Sequence, residues 1–133
     1  MSVRTDLEGR LNTWAAAQNP PIEVAWEGIS YNKPTSQTFL QPILMPATPR
    51  MAGINGVRYR ELGVFHINVW GIDGEGSAET DAIANSLVNL FPVIPKFADT
   101  SIERVGYAGQ AEIINGYRVV PVTFYYRRET QTI

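Results

Sequence analysis

LGVFHINVWGIDGEGSAETDAIANSLVNLF, residues 62–91, decides the fold. Its first part alternates. Phe65, Ile67 and Val69 fall on one side of an extended chain, and His66, Asn68 and Trp70 on the other, because successive strand side chains point to opposite faces. The pattern begins at Val57, so residues 57–72 are the longest strand expected, with the first set in the core. Residues 71–76, GIDGEG, form a turn. Ser77 then stands as a helix N-cap, with Glu79 and Asp81 in the first turn, where the helix dipole favours acids. Ile83, Leu87 and Leu90 form the buried stripe of that helix, Val88 and Phe91 widen it, and Pro92 and Pro95 end it. The His66, Asn68 and Trp70 face reads as covered by something other than the main core.

Toward the N-terminus, residues 3–18 read as an amphipathic helix. Val3, Leu7, Leu11 and Trp14 stack on one face, and Asn19-Pro20-Pro21 stops it. Residues 22–26 alternate as a short strand. Residues 38–45 form another, which Pro42 confines to an edge or a bulge. Residues 46–56, PATPRMAGING, hold prolines and glycines without apolar periodicity and read as a long loop, a type often functional or mobile.

Toward the C-terminus, residues 101–105 alternate, and residues 106–109 bend or bulge. Residues 111–114 and 117–127 flank Asn115-Gly116, a hairpin signal because both central turn residues take positive φ. Val120, Val122, Phe124 and Tyr126 share one face. The fold class is α+β: an antiparallel or mixed sheet of about five strands, with two helices on one face. The 133 residues fit one domain, 1–133.

Composition narrows the function. The chain is 44% hydrophobic and 18% charged, enough to bury a core. A net charge of −2 with mixed signs argues against general nucleic-acid binding. The absence of cysteine removes disulfides, thiolate metal ligands and a cysteine nucleophile. The N-terminus lacks the apolar stretch of a signal peptide, and no run approaches the roughly 20 apolar residues that span a bilayer. The expectation is a protein that stays in the cytoplasm where it is made and does not engage the membrane.

No catalytic constellation emerges. His66 is the only histidine; a general-base role is conceivable, but a structural histidine on a sheet is the simpler reading, without a GxSxG-type elbow or flanking ligands for zinc. Asp73 and Glu75 faintly resemble a calcium loop, yet the twelfth position holds Ala84 instead of glutamate. Two acids in that turn would repel phosphate, and no P-loop lysine follows. Glu23 with Glu27, or Glu103 with Glu112, could be nominated as carboxylate pairs, but ordinary solvated charges account for them. No catalytic, cofactor-binding or metal residue is assigned.

The arginines carry more information. Arg50, Arg58 and Arg60 cluster in and after the long loop, and Arg127 and Arg128 close the last strand. Arginine makes planar bidentate bonds to carboxylates and is enriched at interfaces. Arg58 and Arg60 share a strand face with His66 and Trp70, and the loop adds Met51 and Ile54. These residues form the candidate protein-binding face: Arg50, Met51, Arg58, Arg60, His66, Trp70, Arg127 and Arg128. A solvated strand face is the competing explanation.

The segments LNTWAAAQNPPIEVAWEG, TFLQPILMP, LGVFHINVWGIDGEGSAETDAIANSLVNLF and YRVVPVTFYYRRE together resemble the tail-terminator proteins of long-tailed bacteriophages, of the minor tail protein U type, and a related phage family of unknown function. The resemblance implies a non-enzymatic subunit of a ring, usually a hexamer, on the end of the tail tube. Such a ring stops tube polymerisation and presents a surface for head joining. The partners implied are further copies of itself, the tail tube protein and head-completion proteins, with the host cytoplasm and then the head-proximal end of the tail as locations. Arg58 and Arg60 are expected to meet acids on a neighbouring subunit or the tube. Two other readings stay open: a head–tail connector or completion protein of similar fold, and a non-enzymatic protein- or ligand-binding module with a cleft beside Trp26 and Trp70.

Overall fold

The computed structural model describes residues 3–18, 21–28, 38–47, 50–51, 58–72, 78–93, 100–114 and 116–131. The side chains of residues 3, 50, 51, 58–60 and 129–131 lie outside that description, as do Ser77, Asp73, Glu75 and Asn115. The elements are α1 (Val3–Ala16), β1 (Glu23–Val24), β2 (Phe39–Pro46), β3 (Arg50–Met51), β4 (Arg58–Ile72), α2 (Ala78–Leu90), β5 (Thr100–Ala108), β6 (Glu112–Ile114) and β7 (Tyr117–Gln131).

The expected α+β class holds. One sheet runs in the order β1-β2-β4-β7-β5, with β3 paired to β4 and β6 to β7. It is mixed, because β1 runs parallel to β2 and the other pairings are antiparallel. Among the described residues the main path has the expected five strands, and the short β3 and β6 add two beside it. The residues read as a loop after Pro46 include β3, whose two residues are too few to show a period.

The spine is β4 against β7, paired without a break from Arg58↔Gln131 to Ile72↔Tyr117. Both strands alternate as the sequence predicts. Phe65 faces Phe124, Ile67 faces Val122 and Val69 faces Val120 across the ladder, and all six are buried beneath the helices. Leu7 and Leu11 of α1 and Ala84, Leu87 and Phe91 of the α2 region complete the core. The α2 stripe is therefore rotated from the expected one. Thr80, Ala84 and Leu87 are its buried positions, and Ile83 and Leu90 flank it, because small Ala84 lets the helix approach the sheet. Phe91 stacks edge-on to Phe65 and tilts against Phe124.

Local devices fix the ends. Gly116 has φ +83° in the β6–β7 hairpin, a conformation that glycine adopts without steric cost. Strand β5 carries two register shifts, between Ile102 and Arg104 and between Arg104 and Tyr107, so the expected bulge begins earlier than Gly106. A buried hydrogen bond from the Thr100 hydroxyl to the Asp6 carboxylate, at 2.7 Å, ties β5 to α1.

The β2 edge is closed chemically. The Ala25 N–H donates to the Leu40 carbonyl at 2.7 Å, and the Leu44 N–H donates to Glu27 Oε1 at 2.7 Å. Even-numbered residues of β2 thus turn their backbone groups away from β4. The other two even positions are Pro42 and Pro46, which have no N–H to offer. Charged and proline residues are the usual means of keeping an edge from templating another strand. Pro42 accordingly marks the edge side without a bulge, since the β2–β4 register is continuous.

Candidate assembly interface

Both helices pack on one face of the sheet, and the even-numbered residues of β2's neighbour β4 line the other. Three zones follow one another along this outer face. Near the Ile72 end, Phe39, Trp70 and Val119 form a second small buried cluster. Phe39 and Trp70 stack with ring centroids 5.4 Å apart, and Tyr117 meets both edge-on. The cover expected over Trp70 is this cluster.

In the middle lies a string of hydrogen-bonded polar groups. His66 Nδ1 is 3.1 Å from Thr123 Oγ1, and Nε2 is 2.9 Å from Asn68 Oδ1. An amide oxygen only accepts, so Nε2 carries the proton and, in the neutral ring, Nδ1 accepts from the Thr123 hydroxyl. Asn68 Nδ2 and Trp70 Nε1 both donate to Gln41 Oε1, each at 3.2 Å. The string ties β2, β4 and β7 together. A hydroxyl, an imidazole and an amide in line have the order of a nucleophile, base and orienting group. In this fold the His66 contacts join β4 to β7 through Thr123 and brace Asn68 on the same strand.

The third zone is apolar with arginine. Met45, Leu62, Val64 and Tyr125 follow from the register, and Arg127 stands opposite Leu62. The Arg104 guanidinium lies 4.1 Å from the Tyr125 ring centre, a cation–π contact. The hydrogen bond with Tyr107, followed by their electrostatic coupling, raises the Tyr125 pKa above its ordinary value, and Arg104 opposes the shift.

The structure thus gathers His66, Trp70 and Arg127 on one face and places Arg58 and Arg60 on it by register. It separates Arg128, which stands opposite Glu61 and Thr100 on the helical face. Arg50 and Met51 stand opposite Arg60 and Tyr59. Gln41, Thr123 and Phe39 were missed; the alternation of residues 38–45 was the one signal for Gln41 and Phe39, and that of residues 117–127 for Thr123. The two tryptophans do not share a cleft. Trp26 packs toward the main core and Trp70 belongs to the outer cluster. Glu27 is held by Arg4 as well as by the Leu44 amide, which gives that carboxylate a structural task.

On the helical face a groove of about 570 Å³ is lined by Asp6, Gly9, Arg10, Thr13, Trp14 and Leu90. Arg10 Nε donates to the Leu90 carbonyl at 2.6 Å, joining α1 to the end of α2. Among the described residues no three His, Asp or Glu side chains gather into a group that could hold a metal ion, and no helix is long and apolar enough to cross a membrane.

A family model described as phage tail terminator protein matches residues 2–125. The chain belongs to this family. A phage tail terminator is a structural component of the virion tail and interacts with other phage structural proteins. A solved structure 28% identical to this tail terminator matches it with a TM-score of 0.79, over 98% of this chain and 96% of that one. No curated protein matches the chain.

Proposed function

We propose that this tail terminator assembles as a ring, with six copies the expected number, on the head-proximal end of the tail tube. There it ends tube elongation and offers its free side to head-completion proteins. Residues 1–133 act as one subunit, without enzymatic activity, assembling in the host cytoplasm before joining the virion. The observation that carries this reading is the outer face of the sheet. Its centre holds Ile43, Val64, His66, Asn68, Pro121 and Thr123, with no acid, lysine or arginine among them, whereas a solvated antiparallel face ordinarily carries such residues. Charge depletion with aromatic, methionine and arginine residues nearby is the composition of an interface core.

The test is tail length in particles assembled without this protein. Overlong tubes that fail to join heads are the expected result. Tubes of normal length would overturn termination, and normal tubes that fail to join heads would assign the protein to head completion instead.

A further inference from the structure

The two ends of the β4–β7 ladder carry opposite charge. At the Arg58 end, Arg50, Arg58, Arg60, Arg127 and Arg128 outnumber Glu61 and Glu129. The register sets Arg128 opposite Glu61 and Arg60 opposite Glu129, whereas Arg127 stands opposite Leu62 and Ser101, neither of them an acid.

At the Ile72 end the balance reverses. Glu79 and Asp81 open α2, and Glu112 opens β6. The sequence from Ile72 to α2 adds Asp73 and Glu75 without a basic residue. Arg118 is the cation among the described residues there, and it is engaged. Its guanidinium donates to the Thr80 hydroxyl and lies 3.3 Å from Asp81 Oδ1. Since Arg118 is also the register partner of Ile113, this contact fixes the β6–β7 hairpin against the first turn of α2. The hairpin presents Ile113, 60% exposed, and Ile114 beside these acids.

Both ends therefore combine apolar side chains with charge, of opposite sign. The arginine end offers Met45, 46% exposed, and Leu62. We infer that the acidic β6–β7 hairpin of one copy docks on the arginine end of a second copy, with Ile113 against the Met45–Leu62 region and Glu112 and Asp81 facing Arg127 and its neighbours. The occupant is a second copy because the same chain supplies both complementary patches. Two different patches meeting head to tail is the arrangement that closes a ring. The closed β2 edge favours this side-chain contact over a sheet continued from copy to copy. The inference rests on the ring reading and gives it its contact surface.

The experiment is light scattering of the wild-type chain, alone and with isolated tail tubes, beside Arg127→Glu, Glu112→Arg and the double variant carrying both changes. Circular dichroism confirms folding of each. Each single reversal is expected to weaken self-association at least about tenfold, since it sets like charges against each other. An equimolar mixture of the two singles is expected to assemble like the wild type with the two kinds of copy alternating, because every hairpin then meets an opposite charge. The double swap regains the wild-type mass. Singles that assemble like the wild type, or a double variant as weak as the singles, overturn the docking while leaving the ring standing. A wild-type chain monomeric both alone and on tubes overturns the ring reading itself, and the docking with it.

Discussion

The Thr100 hydroxyl donates to the Asp6 carboxylate at 2.7 Å across 94 residues of sequence, with both groups buried. A buried carboxylate is tolerated only where its hydrogen bonds are made. Thr100→Val removes one of them and is expected to lower stability by about 1–3 kcal/mol. Pairing it with Asp6→Leu should cost less than the sum of the two single changes, because both orphaned groups are gone. Urea unfolding of the four chains measures this; strict additivity would show that the two groups act independently.

Gly71 packs where a side chain has no room, since an added Cβ would collide with the Thr80 methyl. Gly71→Ala is expected to cost about 1–3 kcal/mol from overpacking. Adding Thr80→Ser should recover most of that, because serine deletes the methyl and keeps the hydroxyl that receives Arg118. Thermal unfolding of the single and double variants decides it, and an unrescued double would place the strain elsewhere.

Glu27 is part-exposed, so Glu27→Ala should change global stability by no more than about 1 kcal/mol. Its effect is local. The Leu44 amide loses its acceptor and should exchange its hydrogen at least about tenfold faster, while amides at the centre of β4 keep their protection. An unchanged Leu44 rate would mean that the carboxylate does not close the edge.

Burial, followed by the nearby Glu61 charge, raises the Tyr126 pKa above the ordinary tyrosine value of 10.0, with Arg4 opposing. The folded state thus prefers the neutral phenol more than the unfolded chain does. This contribution is fully present below pH 10.0 and is lost as pH rises from there through the higher folded value. Tyr126→Phe should flatten the alkaline fall in stability, measured by urea titration above pH 10; an equally steep fall would exclude Tyr126 as its source.

Much of the fold was legible because β4 and β7 each have one face buried, and burial of one face writes itself into the sequence as alternation. Phe65, Ile67 and Val69, and Val120 to Tyr126, were placed correctly for that reason. In the α2 region Leu87 and Phe91 were placed correctly, but Ile83 was taken for the buried position that Ala84 holds, because a small, weakly apolar residue can mark the closest approach of a helix to a sheet. Strand β3 has only two residues, too short for any period. The Asp6–Thr100 and Glu27–Leu44 bonds join distant segments through single polar atoms, which leave no local pattern. The candidate face was legible in part. Alternation put His66 and Trp70 together and the structure agrees, but Arg127 and Arg128 are adjacent in sequence and so necessarily part to opposite faces.

The unbroken ladder between β4 and β7 has a mechanical consequence. Fifteen consecutive pairs, spanning about 50 Å at ordinary strand rise, cannot slide by one step without turning Phe65 and Phe124 out of the core. The spine is therefore an inextensible strut, and whatever engages its two ends is held at a set spacing. Compliance is left to β5, whose two register shifts already break the ladder and allow that margin to flex while the strut keeps its length.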